Sequence, residues 1–158
     1  MKTTGLIIGK FAPLHKGHQY LIETALKQVD KLIIFIYDWP ELTDVPINIR
    51  KRWIEKLYPD VQVVEVYDSP KIFGKTPEIM KLHSDCIVNK LKEIGQEYSI
   101  THFFSNEFYG EYMGKILNAQ SVQIDINKQQ YKISATEIRE NPEKYKEFLD
   151  KIVYEEIK

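Results

Sequence analysis

Two stretches of this chain, residues 6–8 and 32–37, are apolar without interruption, and neither shows the alternation of a strand with one wet face. Such runs suit strands of a parallel sheet covered on both sides. Between them Tyr20, Leu21, Ile22, Ala25, Leu26 and Val29 recur at helical spacing, which predicts a helix over 17–29. The same reading continues down the chain. Helix is predicted over 47–57, with Ile49, Trp53, Ile54 and Leu57 on one face and Pro59 as its stop. A third strand follows at 61–66, then a loop at 68–76 and a helix from Pro77 to residue 94, closed by Gly95. A short strand at 102–104, a helix over 107–117 and a strand at 121–126 come next. Helix resumes at Thr136 as far as Asn141-Pro142, and one or two more helices fill 143–157. Strands alternating with helices of this length predict an α/β fold: a Rossmann-like, doubly wound parallel sheet of about five strands with helices on both faces. In such sheets ligands bind beyond the strand C-termini, so the loops after residues 8, 37, 66, 104 and 126 are the places to search.

At 158 residues the chain has the length of one domain, 1–158, with no repeat or linker to divide it. The longest apolar run is strand-sized, far short of a membrane span. The first residues lack the apolar core of a signal peptide. With 22 basic and 23 acidic residues there is no global field to draw in nucleic acid, so any phosphate ligand must be attracted by local groups. A single cysteine, Cys86, excludes an internal disulfide and suits a reducing compartment. The expectation is a cytoplasmic protein with neither nucleic-acid nor membrane partners; oligomeric state, a homo-oligomer included, is left open.

Chemistry concentrates at the two ends. Near the start, the first strand runs into Gly9-Lys10-Phe11-Ala12-Pro13-Leu14-His15-Lys16-Gly17-His18. Gly9 and Gly17 permit close backbone approach to a phosphate, and Pro13 stiffens the turn. His15 and His18, three apart across a helix start, can face one anion, with free backbone N–H groups of the helix end beside them. Near the other end, Ile133-Ser134-Ala135-Thr136-Glu137-Ile138-Arg139 begins a second helix. Ser134 suits its N-cap, leaving backbone donors facing outward, and Thr136 adds a hydroxyl. Arg139 shares a face with Thr136 and can hold two phosphate oxygens at once. Both motifs fall on the strand C-terminal side.

The paired pattern, strand–G-[KRT]-F-x-P-x-H-x-G-H with I-S-x-T-x-x-R, resembles the signature of the nucleotidylyltransferase superfamily over nearly the whole chain. Gly9-Lys10-Phe11, Arg50-Lys51-Arg52-Trp53 and the stretch from Ile133 through Pro142 and Tyr145 are most similar to the adenylyltransferase domain of the bifunctional nicotinamide-nucleotide adenylyltransferase/ribosylnicotinamide kinases. The segment from Ser105 to Gly110, which includes Asn106, resembles the family's stretch that contacts the two nucleotides. The resemblance implies that His15, His18, Lys10 and Arg139 are catalytic, and that Gly9, Phe11, Gly17, Ser134 and Thr136 bind nucleotide. ATP and nicotinamide mononucleotide (NMN) would give NAD and pyrophosphate. Mg2+ would be carried by phosphate oxygens and water, without a carboxylate cage. The 71–76 loop lacks the tryptophan that commonly stacks on the nicotinamide ring there; Trp39 or Phe73 is a candidate substitute. A kinase half like that of the bifunctional enzymes does not follow within these residues.

Two rival readings stand beside this one. The first is a cytidylyltransferase, or another adenylyltransferase with a different phosphorylated acceptor. The second is a nucleotide-binding regulatory module without catalysis, which three intact motif residues (His15, His18 and Arg139) argue against. Gly74-Lys75-Thr76 mimics the end of a P-loop, but position 69 is serine where glycine is required. Zinc on His15 and His18 would need His83 or His102 as a third ligand, without suitable spacing. Arg50 is a candidate for the acceptor's phosphate, ahead of Arg52 because it sits closer to its helix start. Cys86, among apolar neighbours, reads as a small core residue, and the charged 140–158 stretch as a helix pair closing over the sheet edge.

Overall fold

In the computed structural model, which describes residues 2–40, 43–72, 74–106, 109–125 and 130–158, five strands form one parallel sheet. They are β1 (Thr4–Gly9), β2 (Lys31–Tyr37), β3 (Gln62–Val66), β4 (His102–Ser105) and β5 (Gln120–Gln123), in the order β3-β2-β1-β4-β5. The helices are α1 (Lys16–Leu26), α2 (Ile47–Leu57), α3 (Pro77–Glu93), α4 (Tyr109–Leu117), α5 (Ala135–Glu140) and α6 (Lys151–Ile157), with a 3-10 turn at Lys146–Phe148. This is the Rossmann-like arrangement expected, with β1 at the centre. The chain runs outward from β1 to β3, then crosses back to start the other half at β4. The crevice between the C-terminal ends of β1 and β4 is therefore the topological switch point, where ligands of such folds bind.

The uninterrupted apolar strands are explained by two cores. Leu32, Ile34 and Ile36 of β2 pack into one cluster with Leu21 and Ile22 of α1, Trp53 and Ile54 of α2, Ile138 of α5 and Val153 of α6. Ile33, Phe35 and Tyr37, on the opposite face, join Ile87 and Leu91 of α3 and Met113 of α4. Residues of β2 from Leu32 to Ile36 are at most 1 % exposed, so alternation has no wet face to report. Each such side chain contributes about 1.5–3 kcal/mol of burial free energy.

Several boundaries differ from the sequence reading. β3 starts at Gln62, β5 starts at Gln120 and ends at Gln123, and Ile126, read as its last residue, lies outside the described residues. So do Glu107 and Phe108 at the expected start of α4. The C-terminal stretch is a 3-10 turn and one short helix instead of a helix pair over the sheet edge. Val153 and Leu149 enter the α1–α2 core, and Trp53 Nε1 donates to Glu156 at 3.3 Å. Burying those two apolar side chains under α2 outweighs the charged composition that suggested an edge cover. Among the described residues no helix is long and apolar enough to cross a membrane.

Candidate active site

The first motif forms the turn from β1 into α1. His15 is the N-cap, and its Nδ1 accepts from Gly17 N at 3.0 Å and His18 N at 3.3 Å. His18 Nδ1 accepts in return from His15 N at 3.2 Å. This is a capping box in which two imidazoles replace the usual hydroxyl and carboxylate. A nitrogen that accepts an N–H carries no hydrogen of its own, so in this pairing Nε2 is the nitrogen of each imidazole that carries one. The rings stack with centroids 3.8 Å apart and planes 19° from parallel. The helix-end N–H groups of Gly17 and His18, expected to be open to an anion, are thus taken by His15. What the turn holds instead is two stacked imidazoles, His15 buried and His18 half-buried, whose Nε2 atoms take no part in this cap. Gly17 is required by this packing, because a Cβ there would lie 2.8 Å from His15 Cε1. Phe11 holds a left-handed backbone (φ 51°) while 2 % exposed, and its ring meets His18 edge-on at 4.9 Å. A left-handed aromatic residue is costly and persists only where its surroundings impose it.

The second motif reaches the same turn from the far end of the chain. Ile124 N donates to Ser105 O at 2.8 Å, and the Asp125 carboxylate accepts from Gln130 N and Tyr131 N, which directs the chain back toward α1. Tyr131 packs edge-on against Tyr20 of α1, and Ile133 lies 4.0 Å from the position a Gly17 Cβ would take. Ser134 caps α5: its Oγ accepts from Glu137 N at 3.2 Å and donates to Glu137 Oε1 at 3.0 Å. Its hydroxyl is therefore committed to the cap. Arg139 Nη2 donates to Thr136 Oγ1 at 3.1 Å, and Nη1 donates to Ala12 O, 127 residues away, at 2.7 Å. Partial burial lowers the Arg139 pKa from its ordinary value, without threatening its charge in the working range.

The other candidates are placed less uniformly. Lys10 and Trp39 meet, with Lys10 Nζ 4.3 Å from the Trp39 ring centroid. Asn106 follows directly on β4 at the switch-point crevice. Phe73 lies outside the described residues. Gly9 ends β1, where a Cβ would press on the Phe11 ring at 3.0 Å. Arg50 is 1 % exposed, and its Nε and Nη1 donate to the carbonyls of Val45, Tyr37 and Lys10. A guanidinium spent on backbone in the interior is behind the crevice, not open to an acceptor's phosphate, in contrast to the sequence expectation. Three further side chains pack beside these candidates, of which Ser105 belongs to the 105–110 stretch already marked by resemblance while Lys71 and His83 had no nucleotide- or acceptor-binding role assigned. Lys71 Nζ donates to Asp38 O at 2.7 Å and to Ser69 O and Oγ, each at 3.1 Å. His83 Nε2 is 2.8 Å from Ile72 O, and its ring stacks on Tyr37. Ser105 lies under Gly110, where a Cβ would sit 2.5 Å from its Oγ. Ser105 and Gly110 carried a signal, as the two ends of the stretch that resembles the family's nucleotide-contacting segment.

A cleft of about 630 Å³ opens beside Arg139, between Pro13, Val45, Pro46, Pro142 and Ile157. A cavity of about 520 Å³ lined by Gly114, Lys115 and Gln120 lies at the other end of the sheet and shares no residue with the motifs. Among the described residues no three His, Cys, Asp or Glu side chains are grouped to hold a metal. The polar groups that the two motifs carry are imidazole, ammonium and guanidinium, which suit phosphate oxygens and not a cation.

The family described as cytidylyltransferase-like matches residues 6–141, so the chain belongs to that family and, with it, to the nucleotidyltransferases. The trifunctional NAD biosynthesis/regulator protein NadR of Escherichia coli K12 is 27% identical over 160 residues, covering 94% of this chain. The chain spans only 39% of that protein's length. Phosphopantetheine adenylyltransferase of Fusobacterium nucleatum is 32% identical over 108 residues, 65% of this chain and 63% of that enzyme. Among solved structures, a bifunctional NMN adenylyltransferase/ADP ribose pyrophosphatase of Francisella tularensis, complexed with AMP and a manganese ion, superposes with a TM-score of 0.65. It is 22% identical, with 97% of this chain and 44% of that one covered, and the likeness supports the fold.

Proposed function

We propose that this domain transfers the adenylyl group of ATP to a phosphorylated acceptor, with NMN as the favoured acceptor and NAD and pyrophosphate as products. The observation that carries the reading is the bond from Arg139 Nη1 to Ala12 O, which joins the two phosphate-handling motifs into one clamp. An acceptor phosphate oxygen attacks the α-phosphorus in line, the bond from that phosphorus to the bridging α,β-oxygen breaks, and pyrophosphate departs. The acceptor phosphate is already ionised at neutral pH, so positioning and charge stabilisation carry the rate without a general base.

In this mechanism the Nε2–H groups of His15 and His18 donate to oxygens of the reacting phosphate and the leaving group as charge gathers there. Each such donor is worth about 3 kcal/mol in comparable oxyanion sites. Lys10 neutralises charge at the α- and β-phosphates. Arg139 and Thr136 hold the β- and γ-phosphates, while Ser134 acts through the α5 cap it secures. A divalent ion, Mg2+ in the simplest case, would enter on the nucleotide's own oxygens and neutralise their charge. Trp39 and Asn106, at the ends of β2 and β4, would form the walls of the acceptor site. The likeness to NadR over nearly the whole chain favours a pyridine mononucleotide; the likeness to a phosphopantetheine adenylyltransferase makes that acceptor the second choice.

The test is pyrophosphate release from ATP or CTP paired with NMN, nicotinate mononucleotide or 4′-phosphopantetheine, with and without Mg2+. ATP with NMN should be fastest and should stop on chelation. Faster turnover of another acceptor replaces NMN, activity with CTP alone replaces the nucleotide, and no release with any pair sinks the enzymatic reading.

A further inference from the structure

Among the described residues, Arg50 is the largest charged side chain withdrawn into the interior, and its partners define its task. Nε donates to Val45 O at 3.1 Å, while Nη1 donates to Tyr37 O at 3.0 Å and to Lys10 O. Those carbonyls belong to the loop before α2, the end of β2 and the turn after β1. Asp38 Oδ1 is 3.9 Å from Nη2 and partly exposed, so the three carbonyls, not the ion pair, hold the guanidinium. Lys71 grips the next carbonyl, that of Asp38, from the β3 side. Trp39 follows, with its ring 4.3 Å from Lys10 Nζ. The backbone anchors of Lys10 and of the Trp39 segment are thus tied to one planar fork.

We propose that Arg50 is a positioning residue for the transfer reaction: by gripping Lys10 O and Tyr37 O it sets the Lys10 ammonium against Trp39 at the mouth of the crevice. It touches neither nucleotide nor acceptor. The proposal rests on the adenylyl-transfer reading given above. Arginine is needed because its donors are spread over a rigid plane and can serve carbonyls arriving from three directions. A lysine nitrogen at the end of a flexible stem cannot span them. Lys10 itself reaches the site on such a stem, so where its ammonium sits depends on where its backbone is held. A displacement of about 1 Å at a reacting centre can cost about a hundredfold in rate. The buried cation also adds positive potential behind a site meant for a polyanion.

The experiment compares the full chain with Arg50→Lys and Arg50→Ala, in steady-state kinetics and in quenching of Trp39 fluorescence by neutral acrylamide, with Trp39→Phe as the reference for the Trp53 signal. Arg50→Lys should lower kcat by about tenfold to a hundredfold, with KM for ATP and for the acceptor each within about threefold. Trp39 should become measurably easier to quench as Lys10 leaves its face, while the far-UV circular dichroism is unchanged. Millimolar guanidinium ion should restore part of the kcat of Arg50→Ala, which a merely unfolded variant would not allow. A raised acceptor KM at full kcat would overturn the proposal in favour of direct acceptor binding. Unchanged kcat and quenching in Arg50→Lys would overturn it as well. If the wild-type chain turns over no acceptor, the reading of the reaction fails on its own, and the quenching comparison still decides whether Arg50 sets the Lys10–Trp39 pair.

Discussion

The turn after β1 and helix α5 meet at the same crevice, yet they are held there in opposite ways. The turn locks itself: His15 and His18 each cap the other's backbone within four residues, and Gly17 leaves room for the ring. Helix α5 is only six residues long and has a local cap at Ser134, but its place at the site depends on Arg139 reaching Ala12 across the fold. A local lock is set by the order of residues along the chain. A long-range tether works only after the sheet has brought both ends together, so it is the more exposed to changes elsewhere.

Three substitutions probe this difference, from the largest expected effect to the smallest. His18→Ala removes both a phosphate donor and half of the lock, and kcat should fall by about a hundredfold or more, on the scale of about 3 kcal/mol. Pyrophosphate release under saturating substrates reads it directly, and a wild-type kcat would take the histidine out of the chemistry. Arg139→Lys keeps the charge but cannot serve Ala12 O, Thr136 and a phosphate together. Its kcat/KM for ATP should drop about tenfold to thirtyfold, the worth of about 1.5–2 kcal/mol for hydrogen bonds to a charged group. Thermal melting should hardly move, because the tether is partly exposed; a large loss of stability would mean that Arg139 is mainly a structural strut. Gly17→Ala forces His15 to turn away from a Cβ otherwise 2.8 Å from its ring. The cap it weakens is worth about 1 kcal/mol, which should lower the melting temperature by about 2–4 °C in a chain of this size. Turnover should suffer less than in His18→Ala, since the donor survives. If Gly17→Ala proved the more damaging of the two, the lock would matter more than the donors it holds.

The legibility of these parts in the sequence follows the same division. The strands of the core were readable because full burial on both faces leaves nothing but apolar residues at 32–37, and α1 because its apolar residues recur at helical spacing. The two motifs were readable because capping and phosphate chemistry use a few residue types at short spacing. Arg50 was misplaced because a charged residue on a helix gives no sign of whether it faces water or three carbonyls from remote segments. Lys71 and Asp38 were invisible for the same reason. The role of the α1 N–H groups was also misjudged: an imidazole Nδ1 can cap a helix as a hydroxyl does, but only the folded turn decides which nitrogen faces the backbone.

By itself the sequence determined the αβ alternation, the doubly buried strands and the two motifs, since each depends on contacts within a few residues or on burial alone. The tertiary structure decided that Arg139 meets Ala12 and that Arg50 grips the backbone behind Lys10. Those outcomes depend on where separate segments lie relative to one another, and that is settled only when the β1–β4 crevice forms and the two cores close around the sheet.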